Sequence, residues 1–413
     1  MIRRDDTEIA VIGAGVIGLA VAERLLAEGR DVTLVDPGQP GMGCSYGNAG
    51  TIADYAVAPV GTPDVLRNLP SLLFDRMSPL SIRRAALPAL APWLMRFARQ
   101  SLPHAAARNA RAIASVLQEA GPMWQALAER AGAADILQHR GCLYLYQSDT
   151  AYRAAGAELA SRRALGVKVD LLGPDDLAAL EPGLPPMSGA AFFPQAMFLN
   201  DPGRMMGLIA ARVLTQARLI PARVATLERH VDGVTLHGTG LHLHARRVVI
   251  AAGAHSRALA LMAGDRVPLD TERGYHVEWD MATPRLTRPA CPTARGFYLC
   301  PMEGRLRVAG TVELGGLTAP PSPHRIARLI EGARQIFPDL PPTPDREWMG
   351  FRPSLPDSLP VIGPSQGGAE VIHAYGHGHL GVTMAPVTAR IVADLVAGRS
   401  PHIDLTPVLP NRF

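Results

Sequence analysis

The apolar positions near the N-terminus change period twice within about thirty residues. Ile9-Ala10-Val11-Ile12 is a continuous apolar run without alternation, which predicts a strand buried on both faces of a parallel sheet. From Gly18 to Arg30 the pattern becomes helical: Leu19, Ala22, Leu25 and Leu26 share one face and Gly29 marks the stop. DVTLVD (31–36) predicts a second buried strand, closing a βαβ unit of about 30 residues. Residues 41–60 are glycine-rich and irregular. Residues 64–131 predict helices cut into pieces by Pro70, Pro79, Pro88, Pro92, Pro103 and Pro122. Trp93, Leu94 and Phe97 share a face there, as in a cap packed over a neighbouring domain; peripheral membrane attachment would use the same amphipathic features.

Further along, 141–147 (GCLYLYQ) predicts a strand, and Asn200-Asp201-Pro202 the start of a helix running to about Gln216. Residues 231–253 predict a β-meander divided at Asp232-Gly233 and Thr239-Gly240. His242 and His244 alternate onto one face of it. With no third ligand at suitable spacing, a solvated strand face is expected there and no metal site. Residues 265–348 predict strands and a helix over 324–337, and the last 65 residues return to glycine-rich motifs and a long closing helix. The chemistry-bearing motifs therefore lie at both ends and in the middle. The fold class expected is α/β: a discontinuous Rossmann-type dinucleotide-binding domain (1–60, 196–262 and 349–413), with a second α+β substrate or cap domain (61–195 and 263–348) on a mostly antiparallel sheet.

Composition narrows the function classes. A chain of 413 residues, 47% hydrophobic and 19% charged, is globular and suits two interleaved domains. The net charge of +4 comes from dispersed arginines, which argues against a nucleic-acid partner. Lys168 is the only lysine, so Schiff-base chemistry is disfavoured. Cys44, Cys142, Cys291 and Cys300 have no metal-type spacing and suit a reducing compartment. The stretch Ile9–Ala22 ends in a signal-like Ala20-Val21-Ala22, but its patterned glycines mark folded structure. It is too short to span a bilayer and no other segment is long and apolar enough. A cytoplasmic location is expected, with or without contact on the inner face of the membrane.

Gly13, Gly15 and Gly18 form G-x-G-x-x-G directly after a strand and at the mouth of a helix, with Ala14, Val16 and Ile17 between them. The first glycine permits the turn, the second lets backbone approach a pyrophosphate, and the third lets helix and strand pack closely. The helix start offers N–H groups and a positive dipole end to phosphates. Asp36, ending the second strand, sits where a carboxylate accepts ribose hydroxyls and argues against a 2′-phosphate.

Beyond this unit the chain resembles the D-amino-acid oxidase-like superfamily of flavoproteins, and within it the bacterial D-amino acid dehydrogenases. CSYGNAGTIADYAVAP (44–59) is similar to the loop that there passes the FAD into the active site, which implicates Ser45, Asn48, Ala49 and Gly50 in cofactor binding and Tyr55 in the substrate pocket. RRVVIAAGAHS (246–256) resembles the second flavin-domain strand, with Ala252 and Gly253 at the turn over the cofactor. MGFRPSLPDSLPVIG (349–363) and HAYGHGHLGVTMAPVTARIVADLVAG (373–398) resemble the two C-terminal motifs. In the second, Gly376, His377, Gly378, His379, Leu380 and Gly381 lead into the last helix, whose N–H groups can stabilise the charge of a reduced flavin.

The resemblance makes Arg352 the partner of a substrate carboxylate, by a bidentate pair that fixes the α-carbon over the flavin. Tyr275 and His276 lie on a strand that in related enzymes runs along the pocket; each either touches substrate or merely lines the sheet. His379 stands where relatives often carry another residue and points to a polar or cyclic substrate. The activity implied is oxidative deamination of a D-amino acid, with D-proline or hydroxy-D-proline suggested by RGYHV and GHGHLG. Hydride passes from Cα to flavin N5 and electrons go on to a quinone or other carrier. No catalytic acid or base is assigned. FAD is expected to be non-covalent, because the cysteine that tethers it in some relatives lies in a C-terminal motif that has none here. Two alternatives stay open: an oxygen-using amine oxidase of the glycine or sarcosine oxidase type, and a FAD-binding subunit inactive outside a larger dehydrogenase complex. An NAD-dependent dehydrogenase would not need the C-terminal glycine turn. Oligomeric state is not legible.

Overall fold

The computed structural model describes residues 5–68, 78 and 80–413. The opening βαβ unit forms where the apolar periods place it: β1 (Asp5–Ile12), α1 (Val16–Ala27) and β2 (Val32–Val35). β1 and β2 pair in parallel with Ile9 opposite Val32. The unbroken apolar run has a direct cause. Ile9 and Val11 pack into one core with α1, whereas Ala10 and Ile12 point the other way into a second core.

Among the described residues the proline-cut region holds the helices Pro63–Arg67, α2 (Leu87–Gln100), α3 (Pro103–Leu117) and α4 (Ala120–Arg130). Pro63, Pro88 and Pro103 sit in first turns, where a missing N–H costs nothing. Pro92 lies inside α2. Pro70 and Pro79 fall outside the described residues. The helix Pro202–Leu214 starts at Asp201, whose side chain accepts from the Arg204 N–H at 3.0 Å.

The meander comprises Thr226–His230, Gly233–Gly238 and β3 (Leu241–Ile250). One expectation about it needs correcting. His244 does not face solvent; it is buried, its Nδ1 3.2 Å from the Thr235 hydroxyl. Thr235 stands directly opposite His244 on the antiparallel partner strand. Among the described residues no group of three His, Cys, Asp or Glu side chains is placed to hold a metal.

β3 joins the two ends of the chain. It pairs in parallel with β1 on one side, and its last residues Val248–Ile250 pair in parallel with Val371–His373 near the C-terminus. These strands belong to an eight-stranded sheet. The second large sheet is mostly antiparallel. Its functional part is β4 (Asp270–Asp280), β5 (Arg305–Leu314) and β6 (Arg346–Ser354), with β4 in the middle. α5 (Pro323–Arg334) covers one face of this sheet, where Tyr275, Val277 and Trp279 pack with Leu329 and Phe337. Glu272, Gly274, His276 and Glu278 alternate onto the opposite face.

The chain returns through β7 (Gly368–Tyr375) to the closing helix α6 (Gly381–Val396). α6 packs against α1 and α4, and the Trp124 indole N–H donates to the Val382 carbonyl at 2.8 Å. The segment Gly378–Val396 is long and apolar enough to cross a membrane, but 72% of it is buried inside the protein. A central core helix passes the same test of length and composition.

Candidate active site

A cavity of about 1590 Å³ runs between the two sheets. Ordinary small-molecule sites occupy about 300–1,000 Å³, so this one has room for a dinucleotide and a substrate together. At one end it is walled by the βαβ turn. Gly13 has φ +106°, and a Cβ there would strike the Ala251 carbonyl; a Cβ at Gly18 would overlap the Gly13 carbonyl oxygen. Gly15 begins α1 with no side-chain cap, while the Ser45 hydroxyl accepts from the Val16 N–H at 2.9 Å. Asp36 accepts at 2.7 Å from the N–H groups of Ala14 and Gly38, one on each oxygen. Each oxygen keeps a lone pair for a further donor. A glycine cradle that excludes Cβ atoms and an uncapped helix start beside a carboxylate fit the adenosine diphosphate half of FAD.

Ala14, Val16, Ile17, Ser45, Asn48, Ala49, Ala252, Gly253, His377, Gly378, Leu380 and Gly381 all line the same cavity. Gly18, Gly50 and Gly376 are set back from its wall. His377 lines it without offering a charge: burial pushes its imidazole down to about 3, and its Nε2 meets the Thr388 hydroxyl of α6 at 3.0 Å.

The other end of the cavity is built from side chains on β4 and β6. These strands pair Glu272 with Arg352 and Gly274 with Gly350. The Arg352 guanidinium lies flat on Gly274, where a Cβ would overlap it. Its Nη1 donates to the Thr311 carbonyl at 2.9 Å. Thr311 has φ 58°, a conformation costly for a β-branched residue, beside a bulge in the β4–β5 ladder. Arg352 forms no ion pair with a carboxylate among the described residues, and desolvation in this recess lowers its pKa. Behind it, burial works against ionisation of Glu272. The contact with His379 and the charge of Arg352 outweigh that and hold the carboxyl below its ordinary range. His379 borders the cavity with Nε2 2.6 Å from the Glu272 carboxylate.

A family model described as FAD dependent oxidoreductase matches residues 8–395. The chain belongs to this DAO family of FAD-dependent oxidoreductases. It is 35% identical to a D-amino-acid oxidase of Bradyrhizobium diazoefficiens over 98% of both chains. It is 30% identical to D-amino acid dehydrogenase 2 of Ralstonia nicotianae, covering 97% of this chain and 99% of that one. A glycine oxidase structure from Geobacillus kaustophilus, 24% identical, superposes with a TM-score of 0.76 over 99% of both chains and shows the shared fold.

In this FAD-dependent oxidoreductase three further site expectations find different surroundings. The Tyr275 residue borders the cavity, but its hydroxyl donates to Glu313 at 2.5 Å and accepts from the Ser322 N–H, on the α5 side of the sheet. His276 is buried, stacked on Trp348, with Nδ1 donating to the Gly47 carbonyl at 3.0 Å. Burial and the neighbouring Arg307 charge bring its imidazole down to about 4, so it is neutral. Tyr55 is also buried and does not line the cavity; its hydroxyl donates to the Cys142 sulfur at 3.1 Å and lies 3.4 Å from the Tyr298 hydroxyl.

Three residues emerge that sequence reasoning passed over. Tyr298 lines the cavity in the place proposed for Tyr55, its hydroxyl also 3.1 Å from that of Tyr144. Arg307, fully buried and paired with Glu278 at 2.7 Å, donates to the carbonyls of Tyr46 and Asn48. With His276 it pins the flavin-side loop to the second sheet. Glu272 is the third. The alternation along TERGYHVEW carried the available signal, since it places Glu272, His276 and Glu278 together on one face.

Proposed function

We propose that this enzyme oxidises D-amino acids, preferring a cyclic secondary amine such as D-proline or hydroxy-D-proline, and passes the electrons to a quinone or another carrier. The observation that carries this reading is Arg352: a recessed guanidinium, oriented by Gly274 and Thr311, with no direct carboxylate partner among the described residues. A buried cation whose charge is only partly offset by the nearby Glu272 is costly unless a ligand completes the balance. A substrate carboxylate provides the planar, bidentate match. The names of the two relatives above, an amino acid oxidase and an amino acid dehydrogenase, support the same substrate class. Bound FAD supplies the two-electron acceptor for the Cα–H bond. The chain contributes position: Arg352 holds the carboxylate and Tyr298 lines the cavity with a hydroxyl.

FAD is held without a covalent link in this reading, so acid precipitation should leave the yellow colour in the supernatant. The surface of α2 and α3 supports a carrier at the membrane. Residues 80–118 hold six arginines and no Asp or Glu, with Leu87, Met95 and Leu102 exposed. The protein would then work in the cytoplasm or against the inner face of the membrane.

The deciding experiment is anaerobic bleaching of the flavin band by paired D- and L-amino acids. Bleaching by D-proline or hydroxy-D-proline and not by the L-forms supports the reading; a spectrum unmoved by any amino acid removes it. An oxygen-using enzyme is the second reading, favoured by the D-amino-acid oxidase relative. One peroxide formed per substrate consumed in air would establish it.

A further inference from the structure

The Glu272 carboxylate stands at the substrate end of the cavity without a role in the reading above. It is 4% exposed, lies in register with Arg352 on the neighbouring strand, and bonds His379 Nε2 at 2.6 Å. An ionised carboxylate only accepts, so Nε2 carries the proton of that bond. The lone pair of a neutral His379 is therefore on Nδ1. That atom has no protein partner among the described residues, and the side chain borders the cavity with 36% exposure. A buried carboxylate that fixes a histidine tautomer and leaves the other nitrogen unpartnered, on a side chain bordering a substrate chamber, is the arrangement of a proton acceptor.

We propose that Glu272 and His379 form a proton-accepting couple for the substrate ammonium group, switched on by the carboxylate that binds Arg352. This rests on Arg352 being the carboxylate site. In the empty chamber Arg352 partly balances the Glu272 charge. A bound carboxylate neutralises Arg352 and leaves Glu272 uncompensated, and the nearest group able to supply a positive charge is His379. The step is balanced: a substrate N–H bond breaks, an Nδ1–H bond forms, and the nitrogen keeps its electron pair. The amine becomes neutral, while the imidazolium donates through Nε2 to Glu272. The free amine lone pair is what allows the Cα–H bond to give up its electrons.

The other groups facing the couple do not compete for this role. The Cys44 thiol on the flavin-side loop is pushed up by burial, Ser354 is a neutral hydroxyl, and His377 on the same turn is buried and committed to Thr388. Asp270, two residues along β4, is raised by burial, a shift only partly offset by the Thr271 N–H it accepts from and by the Arg257 charge. The arrangement makes the carboxylate a requirement for activating the amine, so it discriminates amino acids from simple amines of the same shape.

The test uses FAD-loaded enzyme and pyrrole-2-carboxylate, a carboxylate whose ring nitrogen is not basic. Calorimetric titration near pH 7.5 in buffers of different ionisation heat counts protons taken up on binding. Wild type should take up a substantial fraction of one proton per ligand, and Glu272→Gln and His379→Gln should take up close to none while still binding. Uptake unchanged in both variants, or absent from wild type that binds the ligand, overturns the couple. If the ligand binds wild type and Arg352→Ala equally well, the Arg352 reading fails instead. Stopped-flow reduction gives a second readout: in Glu272→Gln the acidic limb of the rate should move up by about 1 pH unit or more. A loss of rate with an unmoved limb would mark the pair as merely structural and sink the proposal.

Discussion

The two ends of the cavity are made from different materials. The dinucleotide end is backbone: a glycine turn, a helix start, and one carboxylate that organises N–H groups. The substrate end is side chains on one face of an antiparallel sheet, held by cross-strand register, by the Glu272–His379 hydrogen bond and by the Glu278–Arg307 ion pair. A backbone site depends on the absence of Cβ atoms and tolerates little change. A side-chain site can be retuned one residue at a time, because each group is set by a few neighbours.

The largest effect should come from breaking the backbone end. Gly18→Ala puts a methyl into the Gly13 carbonyl, and the purified protein should carry essentially no flavin, read as the 450 nm to 280 nm absorbance ratio. Retention of FAD would show that the turn can yield. At the other end, Arg352→Ala should keep its flavin yet lose roughly 30- to several-thousand-fold in kcat/KM, the range for truncating one partner of a buried charge pair. Gly274→Ala tests the packing beneath that guanidinium. It should raise KM by about 10- to 100-fold with flavin content unchanged, since a misplaced clamp costs binding and orientation.

Smaller effects sharpen the contrast between residues that face the chamber and those that support it. His276→Gln should leave KM unchanged and instead alter stability against pH. The folded imidazole is brought down to about 4 from an ordinary 6.5, so the unfolded chain takes up its proton first. The contribution is complete above about pH 6.5 and is lost as pH falls toward 4. Thermal scans should therefore show a shallower acid decline in the variant. Tyr298→Phe should have a mild effect, about 10-fold or less in kcat/KM, whereas Tyr55→Phe should leave kcat/KM unchanged. Equal kinetic effects from these two tyrosines would contradict their placement on and off the cavity wall.

The same contrast explains what could be read from the chain alone. The βαβ unit is contiguous, and Gly13, Gly15, Gly18 and Asp36 carry their reason in their spacing. Arg352 and the GHGHLG turn were reached through resemblance. Pairing of Glu272 with His379 joins residues 107 positions apart and depends on how β4 meets β6 and where α6 begins, which no local period encodes. Tyr275 and His276 show the limit well. They are neighbours on one strand, so they must point to opposite faces, and neither face could be assigned before the α5 layer was known. His244 was misplaced for a related reason, because whether a polar position on a strand is wet depends on its tertiary surroundings and not on the alternation alone.

β3 has a consequence for how the protein is made. Its parallel neighbours are β1, synthesised more than 200 residues before it, and β7, synthesised more than 100 residues after it. A nascent chain therefore emerges with half a nucleotide cradle, and the turn into α6 that closes it follows only after β7. Vitamin capture is in that sense a post-release event. A ribosome stalled just before β7 should hold a protease-sensitive chain that has no use for flavin, whatever its concentration in the cell.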